Sequence, residues 1–270
     1  IADIHFDYRL ALASIENGVD ALRINPGNIG KEDFIRQVVE AARKKHIPIR
    51  IGVNSGSLEK EFSHLEKVDA MVASAMKNVE ILEKYDFDMI KISLKASDVL
   101  TTIEAYEKIS EKTDYPLHVG ITEAGTLKSG LIKSSIGIGA ILLKGIGDTI
   151  RVSLTAQPKE EVFAAYELLK SLKLRNRGVN LISCPTCGRT KINLIELAHK
   201  VEEIVAPINK PLTIAVMGCP VNGPGEAKGA DIGIAGGIGE GYIFKKGEII
   251  KKVPEQQLLD EFKKELNSMI

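Results

Sequence analysis

The chain has 270 residues, 44% of them hydrophobic and 27% charged, which is the make-up of a globular protein with room for a barrel-sized domain and a smaller one. Lys plus Arg and Asp plus Glu both number 36, so no bulk field draws it to nucleic acid or a membrane surface, and any anion site must come from local placement of basic residues. No run approaches a membrane span, and three cysteines make no disulfide framework, so the natural setting is a reducing cytoplasm.

The chain opens "IADIHFDYR", without an initiator Met and already in a strand pattern. From there to about residue 175 a short β-branched run, a turn and an amphipathic helix recur. The strand candidates are IADIH (1–5), ALRIN (21–25), IRIGV (49–53), MIKISL (89–94), PLHVGI (116–121) and TIRVSL (149–154). Helical spacing joins Val68, Met71, Val72, Ala75, Val79 and Leu82 behind a capping box of Ser63 and Glu66. Val99, Ile103, Tyr106 and Ile109 repeat it behind Asp98 as N-cap, and Val162, Phe163, Tyr166 and Leu169 mark the helix after Pro158. Strands alternating with helices imply parallel pairing through helical crossovers. Six units are visible where a closed (β/α)8 barrel has eight, and polar residues cluster at the strands' C-terminal ends, as at a barrel mouth. An open doubly wound sheet is the rival. The expected fold is therefore α/β, a TIM-type barrel over 1–176 with six of eight units present and two lying upstream of this chain.

LRNRGVN (174–180) reads as a linker, and the grammar then changes. Strand VNLIS leads to a CxxC, a helix runs from about Asn193 to Val205, and strand LTIAVMG leads to the third cysteine. Short glycine-punctuated strands and a closing helix near Pro254, with Leu258, Leu259, Phe262 and Leu266 on one face, complete a small α+β domain over 177–270. GGIGEG (236–241) precedes a strand, not a helix, so it reads as a hairpin turn and not as a phosphate loop. The glycines of IGIGA (136–140) lie in a helical pattern and read as close packing.

Cys184 and Cys187 stand three apart in SCPTCGRT, and Cys219 ends a second strand in MGCPVNGPGEA. Parallel strands ending in Cys-Pro bring three sulfurs together and leave a fourth ligand to be found. Glu226 is the nearest anionic candidate and His199 the alternative. Zinc in a Cys3Glu or Cys3His site is possible, but it usually comes with paired knuckles. A [4Fe–4S] cluster tolerates a non-thiolate fourth position, so spacing favours a cluster over zinc. Three unrelated buried thiols remain the third option.

Arg23, Arg50, Lys95 and Arg151 each lie in or just after a different strand. Four buried cations without anions are costly, and a diphosphate is the obvious guest. Asn25, Asn54, Thr122, Ser153 and Asn222 are placed to add neutral hydrogen bonds, and Asp3 and His5 share one face of the first strand. Glu123, at a strand's end, either caps the next helix or acts as a general acid. His118 reads as core, and His46 and His64 as surface.

Taken together, SCPTCGRT, GCPVNGPGEA…DIGIAGG, RINPGNIG, IRIGVNSGSL, SLKASD, GITEAGT, KSSIGIGAILL and GIGDTIRVSL resemble the bacterial 4-hydroxy-3-methylbut-2-en-1-yl diphosphate synthases along the whole chain. These are iron–sulfur enzymes of the methylerythritol phosphate route to isoprenoids. The one departure is Pro220, where the family often has Val. The resemblance implies Cys184, Cys187, Cys219 and Glu226 as ligands of a [4Fe–4S] cluster and substrate contacts at Arg23, Arg50, Asn54, Lys95, Arg151, Ser153 and Asn222, with Asp3 and His5 similar to the family's substrate-positioning pair; Thr122 joins the substrate contacts from its place beside the cations. The resemblance also favours Glu123 as the acid and places Asn25 lower. The implied reaction is reductive ring opening and dehydration of 2-C-methyl-D-erythritol 2,4-cyclodiphosphate, with electrons from flavodoxin or ferredoxin. The implied assembly is a homodimer in which one chain's cluster domain caps the other's barrel. The competing expectation is a barrel lyase or isomerase for a phosphorylated substrate with a structural zinc domain.

Overall fold

In a computed structural model, which describes residues 1–220 and 223–270, the chain divides into a first unit, Ile1–Leu172, and a second, Lys173–Ile270. In the first unit β1 (Ala2–Asp3), β2 (Leu22–Ile24), β3 (Ile49–Asn54) and β4 (Ile90–Lys95) pair in that order, all parallel. β5 (His118–Val119) pairs parallel with β6 (Thr149–Ile150), and a parallel bridge from Ile92 to Leu117 links β4 to the approach to β5. A helix follows each strand: Tyr8–Glu16, Glu32–Lys44, Lys67–Glu83, Val99–Ser110, Leu127–Leu143 and Pro158–Ser171. Strands that neighbour one another in sequence order make a barrel wall, whereas a doubly wound sheet reverses its order at a switch point.

Period-two alternation builds that wall. Ile49, Ile51 and Val53 are buried in the apolar core shared with the helices, and Arg50, Gly52 and Asn54 take the opposite, inner face. Likewise Ile90, Ile92 and Leu94 are buried outward, leaving Lys91, Ser93 and Lys95 inside. β1, β5 and β6 are shorter than the sequence pattern suggests, so His5, Arg151 and Ser153 lie just past strand ends.

Local chemistry fixes the helices, with some corrections. Asp98 does cap its helix, accepting the Thr101 N–H at 2.7 Å. The capping box of Ser63 and Glu66 does not form: Ser63 follows a 3-10 turn, Lys60–Phe62, and Glu66 is itself the N-cap without a side-chain bond. In the helix from Pro158 the buried stripe runs through Ala164 and Leu168, four apart, so Val162 and Phe163 fall on the far side, each 57% exposed. Gly137 is indeed a packing glycine, since a Cβ there would meet Ile121 at 2.4 Å, but nothing lies within 4 Å of one at Gly139.

The second unit is a five-stranded sheet. β7 (Val179–Ser183), β8 (Leu212–Met217) and β9 (Ile232–Gly236) are parallel, and β10 (Glu240–Lys245) and β11 (Glu248–Pro254) continue it antiparallel. The stretch after Gly236 is the expected hairpin turn, with Gly239 in the left-handed region at φ 68°. Helices Leu194–Val205 and Leu258–Asn267 supply Val201, Val205, Leu258, Phe262 and Leu266 to its core. Leu259 is only partly buried against it.

Candidate functional site

The inner face of the first unit gathers cations. Arg23 and Arg50 are register partners across β2 and β3, and Asn54 and Lys95 are partners across β3 and β4. Arg151 directly follows β6, its N–H bonded to Val119 O at 2.8 Å. A Cβ at Gly120 would lie 2.4 Å from Arg151 O, so this close approach requires glycine. Arg23 is 2% exposed. Its Nη1 donates to Asp3 Oδ1 at 3.0 Å and lies 3.3 Å from His5 Nδ1, while Nη2 donates to Gly52 O at 2.9 Å. A Cβ at Gly52 would stand 2.3 Å from Arg23 Nε, so the guanidinium approaches β3 this closely only because residue 52 is glycine.

The cations outnumber their partners. Arg23 Nε and both Nε and Nη2 of Arg151 are buried without a hydrogen-bond partner. Burial lowers the Arg50 and Arg151 values, and repulsion from neighbouring cations lowers them further. Lys95 is brought down to about 8, first by burial and then by Arg23 and Arg151, with Asp3 only partly offsetting them. Buried donors left open beside mutually repelling cations make a site for a multiply charged anion.

A pH dependence follows, with its sign set by Lys95. The lysine holds an anion while protonated, and in the free site it loses its proton near pH 8 and not near its ordinary 10.5. Affinity for inorganic pyrophosphate should therefore fall as pH rises through that value. Between about pH 7 and pH 9 the ratio of wild-type to Lys95→Met affinities should drop roughly tenfold, measured by calorimetry. A ratio that stays constant to pH 9.5 would remove Lys95 from the anion site.

The other expected residues distribute around this face. Thr122 and Glu123 follow β5, and Ser153 follows Arg151 by two. Glu123 is exposed, has a left-handed backbone at φ 51°, and does not cap the next helix, whose N-cap is Thr126. That conformation is uncommon for a non-glycine residue. Asn25 is committed elsewhere: its side chain caps the short helix Pro26–Ile29, accepting from Gly27 N–H at 3.2 Å. His118, expected as core, is only partly buried on the inner face, its Nδ1 2.8 Å from Thr149 Oγ1. Burial and the surrounding cations push it down to about 3, so it is a neutral imidazole. Asn222 lies outside the described residues.

In the second unit a cleft of about 550 Å³ is lined by Cys184, Pro185, Cys187, Gly188, Arg189, Gly218, Cys219 and Glu226. Cys184 follows β7, and its Sγ accepts the Gly218 N–H at 3.2 Å across the parallel pair. The Cys187 thiol is held below its ordinary value by the backbone N–H of Arg189 and then by the Thr190 hydroxyl. Glu226 stands in this wall, whereas His199 is 71% exposed and faces Glu202 on its own helix. Among the described residues no three His, Cys, Asp or Glu side chains close on a point that would hold one ion. Three thiols and a carboxylate around an open cleft fit a bulky iron–sulfur cluster, with N–H···S bonds to temper the sulfur charge.

Two participants were missed from the sequence. Lys91 shares the inner face with Lys95, which strict alternation in MIKISLK would have shown. Tyr106 sits in a helical stripe where any large apolar residue would serve, and its hydroxyl bonds Leu94 N and His118 O.

Comparison with known proteins agrees across both units. The GcpE TIM-barrel domain model matches residues 1–166, and the GcpE protein C-terminal domain model matches residues 180–268. A 4-hydroxy-3-methylbut-2-en-1-yl diphosphate synthase (flavodoxin) of Caldanaerobacter subterraneus is 62% identical over all of this chain and 77% of its own length. The protein of the same name from Fusobacterium nucleatum is 62% identical over 98% of this chain and 75% of its own, and that from Desulfotalea psychrophila is 57% identical over 100% and 76%.

Proposed function

Since the chain belongs to the GcpE family of 4-hydroxy-3-methylbut-2-en-1-yl diphosphate synthases, we propose that it opens 2-C-methyl-D-erythritol 2,4-cyclodiphosphate reductively to (E)-4-hydroxy-3-methylbut-2-enyl diphosphate. Two electrons and two protons enter, the ring C–O bond to phosphate breaks, and a hydroxyl leaves as water. The observation that carries this reading is identity spanning both units; the open cation set and the sulfur-lined cleft support it.

The chain's own residues divide the work. Arg23, Arg50, Lys95 and Arg151 hold the diphosphate, with Asn54, Thr122, Ser153 and Asn222 adding neutral hydrogen bonds. Asp3 and His5 orient Arg23 and contact the substrate. Cys184, Cys187, Cys219 and Glu226 would hold a [4Fe–4S] cluster, which supplies one-electron reducing chemistry when bound. Flavodoxin is the donor that the relatives' names carry. Residues 1–176 form the substrate domain and 177–270 the cluster domain of a homodimer. No described helix is long and apolar enough to cross a membrane, and three free cysteines suit the cytoplasm. A barrel lyase with a structural zinc is not favoured, because relatives 57% and 62% identical along the whole chain carry the synthase name.

Glu123 is the general acid for the departing hydroxyl. Glu123→Gln should lower kcat by roughly 100-fold or more, with the visible spectrum and pyrophosphate affinity unchanged. Retained turnover in that variant would take Glu123 out of the proton path.

A further inference from the structure

β4 and β5 share one continuous register without a continuous ladder. Ile92 N donates to Pro116 O at 2.9 Å, and Thr122 N donates to Ala96 O at 3.1 Å. Stepping two residues at a time between these ends, a parallel ladder would pair Leu94 N–H with His118 C=O. Instead both groups turn to one atom. Leu94 N donates to Tyr106 Oη at 3.1 Å, and that hydroxyl donates to His118 O. The Ser93 side chain is a third partner of the phenol. Tyr106 is fully buried on the helix Val99–Ser110, so its ring is anchored in the core while its oxygen is inserted into the wall.

An oxygen placed between a donor and its natural acceptor holds two strands apart. β4 carries Ser93 and Lys95, and β5 carries His118, with Thr122 and Glu123 beyond its end. On the far side of β5 the wall is tight, where Gly120 lies against Arg151. The inserted hydroxyl therefore sets the gap at Leu94 and His118, between backbone bonds that close the seam at Ile92 and at Thr122.

We propose that Tyr106 is a positioning residue, whose hydroxyl spaces Ser93 and Lys95 on β4 from His118 on β5. The proposal rests on the functional reading above. Its chemistry is that of a spacer, since an aligned reacting geometry is lost by displacements on the scale of one ångström. The phenol is not the acid: burial pushes it up to about 12, and it remains protonated.

Tyr106→Phe keeps the ring in the core and removes the wedge, so Leu94 N–H and His118 C=O can bond directly. The expected result is a kcat lower by roughly tenfold at saturating substrate, with KM within about threefold of wild type. Lys95 faces Arg23 from β2, Arg50 from β3, Arg151 after β6, Asp3 from β1 and His118 from β5. Closing the seam changes its surroundings, so the midpoint of the pH profile for pyrophosphate affinity should move away from about 8. A variant that loses thermal stability, yet keeps both the wild-type kcat and the wild-type profile, would overturn the proposal. The pyrophosphate profile needs neither cluster nor turnover, so it still decides the matter if the functional reading itself fails. Should Tyr106→Phe not accumulate folded, 4-aminophenylalanine at position 106 keeps both spacing and donor. That variant should retain wild-type kcat and profile, and loss of either would overturn the proposal.

Discussion

Arg151→Met should bind pyrophosphate and the cyclic diphosphate at least roughly 100-fold more weakly, and yet unfold at a higher temperature. Both signs come from one observation. The Arg151 guanidinium keeps Nε and Nη2 buried without partners, so two of its donors stand open to a ligand. Hydrogen bonds to charged groups contribute about 1.5–3 kcal/mol each, and two of them to phosphate oxygens account for the loss of affinity. Replacing buried charged groups by apolar side chains of similar volume is often neutral or stabilising, by up to about 4 kcal/mol. A gain of about 1 kcal/mol corresponds to about 2–4 °C for a unit of this size. Arg23 is the contrast, because it donates to Asp3 and to Gly52 O within the fold and its removal takes both bonds away. Calorimetry and a thermal melt on Arg151→Met read both effects. A destabilised variant with normal affinity would make Arg151 a structural residue.

Cys184→Ala should abolish turnover and leave the anaerobically purified chain with roughly a tenth or less of its iron. Cys184 directly follows β7, and its sulfur accepts the Gly218 N–H from across the parallel pair. Loss of one thiolate leaves a cleft with two, which does not retain a cluster through purification. Pyrophosphate affinity should stay within about twofold of wild type, since Cys184 belongs to the second unit and the cations to the first. Iron analysis and calorimetry on the same sample separate the two outcomes. Wild-type iron content in Cys184→Ala would contradict the ligand assignment.

The cation set is legible in the sequence because Arg23, Arg50, Lys95 and Arg151 each fall in or just after a different strand of a repeating pattern, and the structure brings Arg23 into register with Arg50 and Asn54 with Lys95. Asp98 could be read as a cap because one side-chain oxygen and one N–H settle the matter locally. The capping box at Ser63 failed because a 3-10 turn intervened, and turn geometry is not written in residue type alone. Val162 and Phe163 misled because helix phase is set by what the helix packs against. His118 reads as core in the sequence because no charged residue stands at even spacing from it along the strand. The cations that surround it come from β3, β4 and the end of β6, and nothing local announces them. Tyr106 is the same case at longer range, since its partners lie 12 positions away on either side.

The most direct test is to purify the chain without oxygen, assay iron and acid-labile sulfide, and give it the cyclic diphosphate with reduced flavodoxin. About four irons and four sulfides per chain, a brown spectrum and accumulation of the linear allylic diphosphate are the predicted result. A colourless protein that holds one zinc after reconstitution with iron and sulfide, and leaves the cyclic diphosphate intact, would contradict it.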